Sequence, residues 1–330
     1  MRGPLDSLTI AYGAKMQVDE ELQSHFQRVL SDLQHARATA ESEVAQTEGP
    51  SESDGADVEE LLSRLGAMVG MTAVKAQVTT LVNLVKVQAL RCRAGLPSTS
   101  TTMHSVFAGP PGTGKTTVAR LFAQVLKAIG AIESGHLVEV SRSELVGEYV
   151  GQTAPRVDAV VDSAIGGVLF IDEAYSLTAA GSNDYGAEAV ATLIKRMEDD
   201  RERLVVVLAG YLEETDAFLR SNPGLESRIA TRITFSDYGP DELMEILELQ
   251  ARENGYAFTE EGATRAADGL TRAWSDRDKS FGNGRFVRNL LEDMMSAHAN
   301  RVAGLPDLDA AVLSTLEFAD VEAGLSANGV

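Results

Sequence analysis

Four short stretches of the chain are rich in apolar residues, two of them apolar throughout, and between them the apolar residues recur at helical spacing. His104-Ser105-Val106-Phe107-Ala108 is the first, and the segment Thr117 to Leu126 after it repeats apolar residues at 118, 121, 122 and 125. His136-Leu137-Val138-Glu139-Val140 is the second, followed by a predicted helix over Arg156 to Ala164. Val168 to Ile171 and Leu204 to Ala209 are the third and fourth, separated by a predicted helix over Glu188 to Met197. Strands that are apolar on both faces and alternate with helices predict a parallel sheet held between two helical layers.

Two further helices precede the first strand: Glu59 to Leu65, ending near Gly66, and a long amphipathic one from Thr72 to Ala94. Beyond Phe235 the strand signal stops. Pro240 suits the first position of a helix reaching about Glu253, and Thr259 is placed to cap a second reaching about Trp274. Arg285 to Arg301 carries Val287, Leu290, Leu291, Met294 and Met295 on one side, and residues 308–321 make a fourth helix. The predicted fold class is therefore α/β, a parallel sheet domain over 58–236, followed by a small all-helical lid domain over 237–323 and a tail over 324–330. Upstream, Leu22, Phe26, Val29, Leu33, Ala36 and Ala40 space out one helix within 17–46. The acidic, Gly/Pro/Ser-rich segment after it, 47–57, reads as a flexible linker.

Composition narrows the function. The chain has 330 residues, 44% of them hydrophobic and 24% charged, enough for two domains with real cores. Its net charge of −20 speaks against general nucleic-acid binding, which needs surplus Lys and Arg to neutralise phosphate. A single cysteine, Cys92, leaves no intrachain disulfide and fits a reducing cytoplasm; between Arg91 and Arg93 it reads as an inert helix residue. No run reaches the ~18 apolar residues of a membrane span, so no membrane insertion is expected. Met1-Arg2-Gly3-Pro4 lacks the apolar core of a signal peptide, and the expected location is the cytoplasm.

Two motifs carry chemistry. Gly109-Pro110-Pro111-Gly112-Thr113-Gly114-Lys115-Thr116 matches G-x-x-x-x-G-K-[ST] and lies between a predicted strand and a predicted helix. In that setting the loop from Pro111 can cradle a nucleotide phosphate, with the backbone N–H groups of Gly112, Thr113, Gly114, Lys115, Thr116 and Thr117 converging on its oxygens at a helix N-terminus. Lys115 is expected to reach the β- and γ-phosphates of ATP, and the Thr116 hydroxyl to ligate Mg2+. The third strand ends in Asp172-Glu173. Asp172 is expected to hold the Mg2+ shell and Glu173 to polarise the attacking water, a pairing suited to hydrolysis.

A P-loop, an Asp-Glu pair closing a later strand and a helical lid together resemble the AAA+ ATPases. Leu145-Val146-Gly147-Glu148-Tyr149-Val150-Gly151-Gln152-Thr153, Gly167 to Tyr175, Asn222-Pro223-Gly224 and Ser227-Arg228 resemble one branch of them. That branch holds red-type Rubisco activases, stage V sporulation protein K and the cytosolic ATPases of type VII secretion. The motif Gly282-Asn283-Gly284-Arg285-Phe286-Val287-Arg288-Asn289 is most similar to the secretion ATPases, whereas the chain length is closer to the other two.

The resemblance implies further roles. Val69 and Gly70 would line the adenine pocket. Arg228 would be an arginine finger completing a neighbouring subunit's site, with Arg232 as the competing residue. Arg285 would carry the lid to the γ-phosphate, with Arg288 as its alternative. Tyr149 would be the substrate-gripping pore-loop aromatic. No residue is assigned to sense the γ-phosphate at the end of the fourth strand, where the run is Ala209-Gly210-Tyr211. The expected protein is a ring-forming ATP hydrolase using ATP and Mg2+, a homo-hexamer that remodels a protein client. Its rivals are an assembly switch that threads nothing and a nucleic-acid motor.

Overall fold

The computed structural model describes residues 52–96, 102–178, 185–229, 231–306 and 308–330. The helix expected within 17–46 lies outside the described residues. The segment read as a linker over 47–57 is helical from Glu52, where α1 (Glu52–Ala67) begins. Val58 and Leu65 are buried on this helix and anchor it to the sheet domain.

Helix α2 (Thr72–Arg93) leads to β1 (Ser105–Ala108), and α3 (Lys115–Ala128) follows. Next come β2 (Leu137–Val140), α4 (Arg142–Leu145), α5 (Thr153–Ala164) and β3 (Val168–Ile171). Helix α6 (Gly186–Asp199), β4 (Val205–Gly210), α7 (Leu212–Ser221), α8 (Pro223–Glu226) and β5 (Thr231–Thr234) complete the domain. The five strands are parallel, in the order β2-β3-β4-β1-β5. Strand β5 has no counterpart in the sequence reading. Only Ile233 of its Thr-Arg-Ile-Thr is buried, as befits an edge strand that pairs with β1 alone.

The apolar strands divide their side chains by period 2 between two cores. Phe107, Val168, Phe170, Val205 and Val207 pack with α1, α2 and α3 on one face. Val106, Ala108, Leu169, Ile171, Val206 and Leu208 pack with the other helices on the opposite face. Phe107 sits at the centre of the first face, with Phe235 and Phe122 at ring distances of 5.6 and 6.4 Å. Each such side chain, fully buried, contributes about 1.5–3 kcal/mol of apolar burial. On the second face Arg196 of α6 bonds Asp158 and Asp162 of α5 at 3.0 and 2.6 Å, and Asp200 at 2.8 Å.

The lid comprises α9 (Pro240–Glu253), α10 (Glu260–Ser275), α11 (Gly284–Val302), α12 (Ala310–Ser314) and α13 (Phe318–Ala327). Pro240 occupies the start of α9, and the Thr259 hydroxyl caps α10 through the Gly262 N–H at 3.1 Å. The single helix expected over 308–321 is instead α12, a two-residue strand and α13. That strand, β7 (Thr315–Leu316), pairs in parallel with β6 (Ala257–Phe258). Two residues are too few to leave a periodic signal. In the stretch read as a tail, Leu325 is fully buried in the lid core.

Candidate active site

The P-loop leaves β1 between its neighbours β4 and β5, at the carboxyl end of the sheet, and enters α3. Beyond β4 lies β3, whose carboxyl end delivers Asp172 and Glu173. Chain topology alone therefore places the glycine loop and the acid pair on one crevice, the usual ligand position in an open parallel sheet. An open cleft of about 820 Å³ occupies it, lined by Pro111, Gly112, Gly114, Lys115, Thr116, Thr117, Asp172 and Glu173. Val69 lines its far end, and Arg285 and Arg288 close it from the lid.

Lys115 donates to the Gly109 and Pro110 carbonyls at 2.9 and 2.7 Å. Burial pushes its pKa below the ordinary lysine value; Asp172 opposes this, and Arg285 adds to it. A cation partly stripped of water and kept charged by a neighbouring acid is matched to a polyanionic ligand. Glu173 adopts a left-handed backbone, φ 47°, and its N–H bonds Asp172 Oδ1 at 3.0 Å. The bond holds one oxygen of Asp172, and the turn keeps Glu173 exposed beside it. Tyr175 packs behind this turn, its phenol pKa raised by burial and then by the Glu173 charge.

The donor set fits Mg2+. Among the described residues no group of three or more His, Cys, Asp or Glu could cage a metal. Among the acids and hydroxyls that line the cleft, Asp172 and Thr116 are the candidate pair. Mg2+ keeps several waters and draws other ligands from phosphates, so one or two protein oxygens suffice.

Other expected residues are positioned differently. Thr113 is buried, its hydroxyl donating to Pro110 O at 2.9 Å. Gly70 packs against Glu242 of α9, where an added Cβ would stand 2.8 Å from the carboxylate carbon. Tyr149 is 67% exposed and Val150 83% exposed, outside the cleft, so the tyrosine is no core residue. Arg228 does not line the cleft either. It pairs with Glu198 at 3.1 Å and donates to Gly224 O at 3.0 Å. Arg232 pairs with Asp216.

Several lining residues escaped the sequence reading. Met68, Met71 and Tyr238 form one apolar wall, with Ile246, Leu249 and Gln250 of α9 beside them. The Tyr238 hydroxyl donates to Thr113 O at 3.3 Å, and burial pushes its pKa up to about 12. Tyr211, just past β4, also lines the cleft. Register puts Gly210 beside Ala108 of β1, so Tyr211 emerges next to the P-loop strand, at the position where no γ-phosphate sensor was assigned.

Comparisons with known proteins agree with this geometry. Residues 105–236 match the ATPase family associated with various cellular activities (AAA), and residues 239–328 match the AAA lid domain. The chain is 42% identical over 278 residues to protein CbbX of Cereibacter sphaeroides, covering 82% of this chain and 89% of that one. It is 41% identical over 251 residues to the chloroplastic ribulose bisphosphate carboxylase/oxygenase activase of Cyanidioschyzon merolae, covering 76% and 85%. Stage V sporulation protein K of Bacillus subtilis is 39% identical over 271 residues, covering 82% and 84%. In fold, the chain is similar to the Thermotoga maritima RuvB branch migration motor, with a TM-score of 0.54 at 21% identity over 78% of this chain and 70% of that one. A P-loop and an acid pair on one crevice, closed by a matching lid, and relatives near 40% identity along most of their length lead to one assignment: the chain belongs to the AAA ATPase family, in the branch of the CbbX proteins, the chloroplastic Rubisco activase and stage V sporulation protein K.

Proposed function

We propose that the chain hydrolyses ATP as a subunit of a homo-hexameric ring in the cytoplasm and uses the cycle to remodel a protein client. The observation that carries this reading is the meeting of Lys115, Thr116, Asp172, Glu173 and Arg285 on one cleft. Lys115 offsets the charge of the β- and γ-phosphates, and Glu173 takes the proton of the attacking water. Thr116 and Asp172 would hold Mg2+, which would supply positive charge to offset the developing charge on the phosphates. Val69 with Gly70 borders the adenine. Arg285 approaches the γ-phosphate from the lid, and Arg228 serves the neighbouring subunit's site, which makes assembly a condition for turnover.

Tyr149 supports the motor reading over an assembly switch. Tyr149 stands exposed beside Val150 between Gly147 and Gly151, where an aromatic is free to wedge against a client chain. The net charge of −20 disfavours a nucleic-acid motor, and the likeness to RuvB extends to fold alone. One relative is an activase of ribulose bisphosphate carboxylase/oxygenase, which makes that carboxylase the first client to try. The test is ATP turnover and client remodelling for the parent, Tyr149→Ala and Tyr149→Phe. The Ala form should keep basal turnover and lose remodelling, and the Phe form should keep both. Remodelling by the Ala form at the parent rate would refute threading through Tyr149, and stimulation by DNA alone would favour the nucleic-acid motor.

A further inference from the structure

We infer that Asn283 is a positioning residue for the nucleotide site, holding the P-loop and Arg285 in one fixed relation; the inference rests on the nucleotide-site reading above. Asn283 is fully buried, and its carboxamide meets three segments of chain. Its Nδ2 donates to Pro111 O in the P-loop at 3.1 Å, to Asp237 Oδ1 at 2.8 Å and to Phe281 O at 3.1 Å. Its Oδ1 accepts the Tyr238 N–H at 3.0 Å. Residues 237 and 238 belong to the segment joining sheet domain and lid, so one side chain ties that joint to the phosphate loop. The backbone repeats the tie, with the Gly284 N–H on Gly112 O at 3.0 Å.

The backbone indicates why an asparagine stands here. Its φ of 47° and ψ of −121° belong to a region that glycine adopts at least cost. Glycines flank it on both sides, so this loop already uses the permissive residue where the backbone is all that matters. An asparagine in the most glycine-like conformation of the three is accounted for by its carboxamide. Every polar atom of that carboxamide is bonded, in a place with no solvent to substitute. Arg285 follows two residues later on the first turn of α11, with its own N–H on Gly282 O at 2.9 Å. Any shift of the Asn283 amide therefore displaces the Arg285 backbone relative to Pro111.

The test is a double-mutant cycle read by binding. Affinity for AMP-PNP, a non-hydrolysable ATP analogue, is measured for the parent, Asn283→Gly, Arg285→Ala and the double variant, with ATP turnover followed in parallel. Glycine suits the backbone and removes only the carboxamide. If Asn283 acts through Arg285, Arg285→Ala weakens binding by about tenfold in the parent and by less than about threefold in the Asn283→Gly background. Equal losses in both backgrounds overturn the inference, because a merely structural residue leaves the Arg285 contribution intact. Asn283→Asp, which keeps the shape and sets a carboxylate against Asp237 and two carbonyls, should give the same non-additivity. A parent that binds AMP-PNP without turning over ATP removes the hydrolysis reading and leaves this cycle valid. A parent that binds no nucleotide overturns both.

Discussion

Gly112→Ala tests whether the lid touches the phosphate loop as described. Gly112 has φ 68°, a left-handed value that costs an alanine roughly 1–2 kcal/mol. An added Cβ would overlap the Gly282 carbonyl oxygen and stand 2.9 Å from its carbon and 3.0 Å from the Arg285 amide nitrogen. These are backbone atoms, so the lid loop must withdraw. Withdrawal strains two hydrogen bonds, Gly284 N–H to Gly112 O and Asn283 Nδ2 to Pro111 O, at about 1 kcal/mol each. The sum is about 3–4 kcal/mol, a large fraction of a typical folding free energy of about 5–15 kcal/mol.

Gly255→Ala is the control. It has a similar φ of 78° with nothing within 4 Å of the new carbon, so it should cost only the backbone part. At roughly 1.5 °C per kcal/mol for a chain of 330 residues, thermal unfolding should place Gly112→Ala about 3 °C below the control. Titration with a fluorescent ADP should show Gly112→Ala weakened at least about tenfold, since the displaced loop no longer presents its N–H groups, and Gly255→Ala unchanged. Equal melting temperatures for the two variants, with parent-like ADP affinity for both, would refute the close approach of lid and P-loop.

Lys115→Ala should abolish tight ATP binding, whereas Glu173→Gln should bind ATP and lose on the order of 10²–10⁴-fold in turnover; near-parent turnover by the Gln form would remove Glu173 as the water-activating group. Arg228→Ala should lose on the order of 10³-fold and be rescued when mixed with Lys115→Ala subunits, as measured by steady-state ATPase in rings of verified assembly. An essential Arg232 beside a silent Arg228 would reverse that assignment. His104 is buried, with Nδ1 accepting the Val206 N–H at 3.0 Å and Nε2 on Met197 O at 3.1 Å. Burial holds its pKa below the ordinary 6.5. Below about pH 6.5 the unfolded chain takes up a proton that the folded one refuses, so stability falls as pH drops from about 6.5 toward the depressed folded value and is unaffected above about 6.5. Urea midpoints at pH 7 and 5 should therefore separate more for the parent than for His104→Gln.

The parts of the site that lie in single runs were legible in the sequence. Gly109 to Thr116 and Val168 to Glu173 each join a strand to its chemistry, so pattern and motif suffice. Strand order was not legible, because apolar runs do not say which neighbour they pair with; without it, Tyr211 could not be located beside the P-loop strand. Tyr238 and Asn283 meet Thr113 and Pro111 across 125 and 172 residues of sequence. Such contacts are fixed by the docking of two domains and leave no periodic trace. The Gly-Asn-Gly triplet at 282–284 was the available signal, since an asparagine between glycines invites a left-handed turn. Strand β5 was missed because an edge strand buries one residue in four.

The wall where adenine would rest is shared between two bodies: Met68, Val69 and Met71 belong to the sheet domain, and Ile246, Leu249 and Gln250 to the lid. A base sandwiched in this way leaves only when the halves part. On the proposed function the dwell time of ADP is then the lifetime of that closed wall, and the lid acts as a clock as much as a sensor. Trimming Leu249 or Ile246 would shorten the dwell without touching a phosphate contact, and a turnover limited by product departure would quicken rather than slow.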